Sequence, residues 1–320
     1  MSATATTHEQ QPQKPPEGHE PKKRARIVEL GDRLVREQPL GTLGATITLL
    51  LLLTAILADV LAPYGMNETS RDVLLGPTAE HLLGTDNLGR DLLSRVIYGA
   101  RISVIVGLAA SLLATLVSLL IGMMSGYIGG TLDLIVQRFV DSWMSLPMIV
   151  VLMVIISMVG PGMLTIIINL GFWWGIIGSR IIRSAVISSK EKTFVRAAVA
   201  TGSSTRRVLL KHILPDVMAP TIILFSTRVP NVILAEAMLS FLGFGIPAPV
   251  PSWGGMLSGV ARNYMFMNPW MVVWPGLALA IVVYGVNMFG DALRDLLDPK
   301  LRGGIGRYDT GKMREKVEPE

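Results

Sequence analysis

Six long apolar segments constrain this chain more than any other feature. With its flanks, each is long enough for a helix that rises about 1.5 Å per residue to cross about 30 Å of hydrocarbon. Backbone polar groups find no water inside a bilayer, so a single spanning segment satisfies them by forming a helix. The sequence therefore predicts an all-α polytopic membrane protein with six transmembrane helices. The predicted spans are residues 42–62, 102–127, 144–159, 163–182, 217–242 and 271–289.

Composition supports this class. Half of the residues are hydrophobic, only 17% are charged and the mean hydropathy is +0.50, whereas about 25% of residues in soluble domains are charged. The absence of cysteine excludes disulfides and thiolate metal sites. The net charge of +5 comes from short basic segments that flank the apolar spans, so membrane topology explains it better than a nucleic-acid partner, and we predict no nucleic-acid binding.

The basic segments also predict orientation. They occur at both chain ends and between the fourth and fifth spans, and the positive-inside rule makes that side cytoplasmic. An even number of spans returns both termini to it. The expected units are a disordered basic tail (1–41), a first span (42–62), an external loop with an interfacial helix (63–101), a five-helix core (102–293) and a cytoplasmic C-terminal tail (294–320). Within the core we expect a cytoplasmic loop (188–215) and an external loop (243–270).

The cytoplasmic loop is the most distinctive stretch, with seven Lys, Arg or His residues against one Glu. Ser188 and Glu191 have the spacing of a capping box that starts a helix, and Gly202 is placed to stop it. Ser203 or Ser204 can then cap a second helix that ends before Pro215. The pattern predicts a compact helix-turn-helix at the membrane surface.

Small side chains in this loop favour a docking surface. Ala197 and Ala198 allow a helix to settle deeply in a partner's groove, and the neighbouring Phe194 and Val195 supply apolar anchors. The alternative is a surface helix that lies on membrane lipid, attracted by its basic residues. We favour docking.

Glycines and prolines within the spans predict close packing and kinks. Small residues recur every four positions, which allows helix backbones to approach in lipid. Proline inside a span removes a backbone hydrogen bond and bends the helix. The glycines are Gly122, Gly126, Gly130, Gly171 and Gly175, and the prolines are Pro147, Pro220, Pro230 and Pro275.

Arg228 falls near the middle of the fifth span, where an unpaired arginine costs roughly 2.5 to 3.5 kcal/mol. It must therefore face protein or water. One interpretation is a structural ion pair with Asp141 or Glu236, and we favour it. The other is that Arg228 lines a translocation path and meets the carboxylate of a peptide-like substrate.

The loop also carries a resemblance to a known family. Ala197, Ala198, Gly202 and Leu214-Pro215 match the spacing of the coupling-loop signature in permease subunits of binding-protein-dependent ABC importers. Two positions depart from the general signature, since Arg196 stands where it has Glu and His212 stands where it has Ile. A His before Ile-Leu-Pro is similar to the peptide-transporter branch.

Four further stretches resemble the C-type permease of dipeptide, oligopeptide and nickel importers, and together they cover most of residues 84–302. They are GTDNLGRDLLSRVIYGARIS from Gly84, GYIGGTLDLIVQRFVDSWMSLP from Gly126, EAMLSFLGFGIPAPVPSWGGML from Glu236 and NMFGDALRDLLDPKLR from Asn287.

The resemblance implies a type I importer permease in a bacterial or archaeal cytoplasmic membrane. Its partners would be a second permease, two cytoplasmic ATPases that bind ATP and Mg²⁺, and an external solute-binding protein. The ATPase-coupling residues would be Phe194, Val195, Arg196, Ala197, Ala198, Gly202, Leu214 and Pro215. Short peptides are the expected cargo, with nickel chelates or oligosaccharides as alternatives. A self-contained channel or an ion-coupled secondary transporter is the alternative from another functional class.

We expect no catalysis and no cofactor on this chain. GRYDTGKM, residues 306–313, has the glycine and lysine spacing of a phosphate-binding loop, but Met313 replaces the magnesium-binding Ser or Thr and no strand precedes it. No histidine falls in a predicted span and no HExxH motif occurs, which argues against an intramembrane hydrolase. Energy must then come from a partner.

Overall fold

The computed structural model describes residue 31 and residues 34–297. Most of the basic N-terminal tail, residues 298–320 and the near-match to a phosphate-binding loop lie outside that range. Within it the fold is all-α, as predicted. The helices are α1 (Pro39–Ile56), α2 (Ala58–Leu61), α3 (Leu92–Ile128), α4 (Gly130–Met144), α5 (Met148–Val159), α6 (Met163–Lys190), α7 (Thr193–Ala200), α8 (Thr205–Val208), a π-helix (Leu209–Ile213), α9 (Leu214–Phe241), α10 (Trp253–Met256), α11 (Gly259–Tyr264) and α12 (Trp270–Leu297).

Five helical rods among the described residues are long and apolar enough to cross a membrane: α1, α3, α6, the continuous helix from Thr205 to Phe241, and α12. These agree with five of the six predicted spans. Helix α3 starts at Leu92, so the stretch expected to lead into the second span as an interfacial helix is continuous with that span. Whether that part lies at the membrane interface stays a prediction.

Helices α3 and α6 pack in parallel with very close backbone contact. A Cβ added at Gly122 would lie 2.7 Å from the carbonyl oxygen of Ser179, and one added at Gly175 would lie 2.6 Å from Cβ of Val117. Ser118 Oγ donates a hydrogen bond to the carbonyl of Gly175 at 2.8 Å. Contacts advance in the same direction along both helices, so the predicted close packing of these glycine faces is confirmed.

The third predicted span is wrong as a single helix. Helices α4 and α5 meet at 90°, and Pro147 stands as the N-cap of α5, where its ring and missing N–H prevent α4 from continuing. The twelve residues of α5 extend only about 18 Å, too short to cross alone. Gly130 begins α4 with φ of +58°, and a Cβ added there would have no other group within 4 Å. The prediction that Gly130 packs closely against another helix, with Gly122 and Gly126, is therefore also wrong.

The parallel contact nevertheless supports six crossings. The ends of α3 and α6 lie together, because Lys190 Nζ donates to the carbonyl oxygen of Tyr127 at 2.8 Å. The chain between them must therefore travel back along the full length of α6. The bent pair α4 and α5 is that return path.

The remaining rods alternate in direction. Gly44 of α1 packs on Gly285 of α12, and Gly41 packs on Ala292, so these two helices are antiparallel. Helix α9 is antiparallel to α3, since Gly107 in the first half of α3 contacts Ile233 in the second half of α9, whereas Met123 near the end of α3 shares an apolar cluster with Val217 near the start of α9. The start of α1, the end of α12 and α7 therefore share one end of the bundle, which we call the α7 end.

Two loop segments, residues 62–91 and 242–269, cover the opposite end, which we call the α10 end. Trp253 Nε1 donates to the carbonyl of Val96 at 3.0 Å and fills the notch left by Gly99. Asn268 Nδ2 donates to the carbonyls of Leu75 and Thr85 at 3.0 and 2.9 Å. The Asn268 bonds join the two segments into one layer, and the Trp253 bond attaches that layer to α3.

The glycine contact gives a stability prediction. Gly122→Ala should lower the free energy of unfolding by about 1–3 kcal/mol, because the added Cβ collides with the α6 backbone. Gly276→Ala is the matched control, also inside a helix, where the nearest group to the added Cβ is 4.0 Å away. Thermal unfolding of each variant in nanodiscs should show a lower Tm for Gly122→Ala alone; equal Tm values would contradict the close packing.

Candidate functional site

The predicted docking helix exists as α7, in the connection between α6 and α9. It ends at Ala200, and Gly202 follows with φ of +80°, a left-handed conformation that glycine adopts without strain, so the predicted stop is confirmed. The predicted capping box is wrong, because α6 continues to Lys190 and includes Ser188. Buried Val186 and Ser189 pack the last turns of α6 against the bundle and carry it past that position.

The second loop helix begins after Ser204, as predicted, but the Ser204 side chain makes no capping hydrogen bond and the helix does not end before Pro215. Helix α8 continues through a π-helical turn, in which the N–H of Leu214 donates to the carbonyl of Leu209, into α9. A proline lacks the N–H for an ordinary helical bond, and its ring clashes with a preceding carbonyl. The wider π turn directly before Pro215 relieves that clash, and the rod runs unbroken from Thr205 to Phe241.

Val195 anchors α7 to the bundle. Only 1% of its surface is exposed, and it belongs to an apolar cluster formed by α3, α6, α7, α8, the π-helix and α9. Burial of a Val side chain contributes roughly 1.5 to 3 kcal/mol. The cluster members are Met123, Ile182, Val186, Val195, Val208, Ile213, Val217 and Leu224.

The other side of α7 is open. Phe194 is 47% exposed, and Ala197 and Thr201, three and seven positions further along, are also exposed. Ala198 is half-buried. Residues at this spacing share one helix face, so α7 presents a phenylalanine beside small side chains, as the docking interpretation requires. The coupling roles of these residues stay predictions.

Ion pairs hold the connection in place. Lys192 Nζ donates to both carboxylate oxygens of Asp216, at 2.6 and 2.8 Å, and so ties the residue before α7 to the first turn of α9. Arg196, at the position of the family's usual Glu, pairs with Glu191 within the loop. Both members of that pair are exposed, so it adds little stability.

A groove of about 640 Å³ runs along the inner flank of α7. It separates the helix from the end of α3 and the end of α6. Its lining residues are Tyr127, Ile128, Lys190, Glu191, Val195, Arg196, Val199, Ala200 and Thr205.

The predicted ion pair of Arg228 does not form among the described residues. Asp141 instead pairs with Arg180 and lies 3.9 Å from Arg138. Arg228 lies with its guanidinium carbon 4.4 Å from the centre of the Trp174 ring.

Glu236 is 1% exposed and accepts a hydrogen bond from Ser240 Oγ at 2.6 Å. It stands eight residues beyond Arg228 on the same helix, about 12 Å along the axis. The predicted ion pair of Arg228 is therefore wrong, because Asp141 is already paired with Arg180 and Glu236 is out of reach.

Comparison with known proteins decides the family. Residues 118–303 match the family described as binding-protein-dependent transport system inner membrane component. The chain belongs to this family. A dipeptide transport system permease protein of Alkalihalophilus pseudofirmus is 36% identical over 84% of the chain and 88% of its own length. A probable peptide ABC transporter permease of Sinorhizobium fredii is 40% identical over 84% of the chain and 91% of its own length. A glutathione transport system permease protein of Escherichia coli is 36% identical over 85% of the chain and 90% of its own length.

Membership confirms the resemblance read from the coupling loop and the four other stretches. The permease is an inner-membrane component of an ABC importer, and the fold has the five to six crossings expected of it.

Sequence reasoning missed the ion pairs that fix the permease's helices to one another. Asp133 of α4 accepts from Arg183 Nε of α6 at 2.6 Å, and Lys192 reaches Asp216 across the loop. Partners fifty and twenty-four residues apart leave no local spacing signal. The only available hint was the opposite charges near neighbouring span ends.

The anchoring of α7 gives a second prediction. Val195→Ala should lower the free energy of unfolding by about 1–3 kcal/mol, because it leaves a cavity in the apolar cluster. Val199→Ala, one turn later on the same face but 51% exposed, makes the same chemical change outside the cluster and should have little effect. Thermal unfolding of the purified permease measures both; an equal or larger Tm loss for Val199→Ala would contradict the anchoring of α7 by Val195.

Proposed function

We propose that this permease forms half of the membrane channel of an ATP-driven importer for short peptides. A second permease completes the channel, two cytoplasmic ATPases bind ATP and Mg²⁺, and an external solute-binding protein delivers the cargo. The names of relatives from several bacteria, which include dipeptide, peptide and glutathione permeases, support the cargo class. Nickel chelates and oligosaccharides remain the alternative cargos.

The observation that carries the proposal is the construction of α7. Its open face offers Phe194 and Ala197 to a partner, while Val195 and the Lys192–Asp216 pair fix its other side to the bundle. A partner that binds the open face is therefore connected to the bundle through α7. A mechanical coupling element needs such a connection.

The continuous helix from Thr205 to Phe241 provides the transmission. When the ATPases close on ATP, α7 moves with them, and the ion pair to Asp216 passes that movement to the first turn of α9. The rod then shifts against α3 and opens the path outward, and hydrolysis on the ATPases resets it. In this mechanism the permease moves and lines the path, and the bond chemistry takes place on its partners.

The proposed orientation places the α7 end in the cytoplasm. Both described chain ends lie there, together with basic residues Lys190, Lys192, Arg196, Arg206 and Arg207. The positive-inside rule supports this assignment. The layer at the α10 end then faces the binding protein.

Loss of the Phe194 side chain should weaken the hold on the ATPases. Phe194→Ala removes an exposed anchor, and we expect about a tenfold or greater loss of ATPase association, since an interfacial anchor contributes about 2 kcal/mol or more. Phe266→Ala is the matched control, because Phe266 is 89% exposed at the α10 end. Co-purification of the ATPases and uptake of radiolabelled trialanine by the reconstituted transporter measure the effect.

Unchanged association and uptake in Phe194→Ala would remove α7 from the mechanism. Uptake by the purified permease alone, without ATPases, would instead support a self-contained channel or a secondary transporter. An equal loss in Phe266→Ala would show that the effect does not depend on the α7 end.

Single cysteines test the orientation, because the chain has none of its own. Exposed Thr201→Cys, beside α7, should resist a membrane-impermeant maleimide in intact cells, whereas exposed Glu80→Cys at the α10 end should react. Permeabilised cells should label both. Labelling of Thr201→Cys in intact cells would reverse the proposed topology.

A further inference from the structure

Arg228 is the one mid-span cation predicted from the sequence, and the described structure gives it no carboxylate. It lies fourteen residues from the start of α9 and thirteen from its end, about 20 Å along the axis from each. A lipid-facing position would cost roughly 2.5 to 3.5 kcal/mol. The side chain of Arg228 therefore faces water or another molecule and not lipid.

Trp174 holds the guanidinium by its flat face. The guanidinium carbon is 4.4 Å from the ring centre, a distance typical of a cation-π contact, which stabilises the charge but uses none of its N–H groups. The contact leaves the N–H groups of Arg228 for another partner. A guanidinium carries a fork of N–H donors, which binds a carboxylate with two parallel hydrogen bonds.

The buried atoms around Arg228 lack an acceptor. Arg228 Nε and Trp174 Nε1 are both buried, and neither has a hydrogen-bond partner anywhere in residues 34–297. Both nitrogens can only donate. Because buried donors in proteins are almost always satisfied, the group that completes this site is an acceptor, and the arginine charge favours an anion.

The flank of α9 beside Arg228 is a polar band within an apolar surface. Thr227 is half-buried and Asn231 is exposed, and Asn231 Nδ2 donates to the carbonyl of Thr227 at 2.6 Å. Half-buried Ile223 and exposed Leu234 lie on the same face before and after this band. A short polar band at mid-span suits a solute that stops briefly on its way across.

We propose that Arg228, held on the face of Trp174, binds the carboxylate of the cargo during its passage. The inference rests on the proposed function. Dipeptides, oligopeptides and glutathione all carry a free carboxylate, which is the chemical group shared by the cargos that relatives' names specify. Arg228 has no second cation among its described contacts, so it would bind the carboxylate weakly enough to release it. Transport requires release as much as binding. The site thus makes the permease itself selective for anionic peptide ends.

The test compares a free acid with its amide. The complete transporter, with both permeases, ATPases and binding protein, takes up radiolabelled trialanine or trialanine amide in proteoliposomes. Arg228→Gln should lower the ratio of acid to amide uptake about tenfold or more, because one charge-assisted bidentate contact is lost. Arg228→Lys keeps the charge without the fork and should give an intermediate ratio.

Arg180→Gln is the matched control, since Arg180 on α6 already has a carboxylate partner in Asp141. Its acid-to-amide ratio should equal that of the wild type. Using one binding protein throughout cancels any selectivity that the binding protein adds, because each variant is compared by its ratio.

Three outcomes would overturn the inference. An unchanged ratio in Arg228→Gln, or an equal fall for acid and amide, would make Arg228 a structural residue. Loss of the second permease on purification of Arg228→Gln would show that its partner is an acidic group of that subunit. Wild-type uptake of neither peptide would overturn the proposed cargo and this inference together, whereas wild-type peptide uptake with an unaltered ratio overturns the inference alone.

Discussion

Gly122 and Gly175 allow α3 and α6 to run side by side, in the same direction, at distances that a larger side chain would prevent. In lipid, where apolar surfaces gain nothing by leaving the solvent, such close packing is a main source of helix association. The parallel direction has a topological consequence. The chain between the two helices must return across the bundle, and the bent pair α4 and α5 is what returns it.

That return determines where α7 lies. Helix α6 ends beside the end of α3, so the connection to α9 emerges at the same end as both described chain termini. Helix α7 is short and would be marginal as an isolated helix. Val195 inserts it into the apolar cluster and Lys192 ties it to Asp216. Under the proposed function, a helix held in this way would pass a push or a pull to the bundle and α9, whereas a loosely tethered one would absorb it.

The sequence predicted what depends on local pattern. Apolar length located five rods, the four-residue glycine spacing marked helix faces that pack closely but not which helices meet, and Gly202 marked the end of α7. It failed where distant packing outweighs local preference. Ser188 has good capping chemistry, yet burial of Val186 and Ser189 keeps α6 helical beyond it. Pro215 was read as a stop, but a π turn accommodates it. The contact of Arg228 with Trp174 could not be predicted from the sequence, since it depends on which face of α9 meets α6.

Other arginines of the bundle pair with carboxylates on neighbouring helices, and Arg228 differs from them in depth and in its contact. Asp59 pairs with Arg101 at 2.7 Å, and Asp133 pairs with Arg183, each joining neighbouring helices. Such pairs lie towards the ends of the rods, where water lowers the cost of a charge. Arg228 lies at the middle, where the same cost is largest, and its described contact is the face of an aromatic ring. A carboxylate fixed in the protein at this depth would neutralise the site permanently. An aromatic face stabilises the cation while leaving its charge for a transient anion, which is the condition a stepping site within a transport path has to meet.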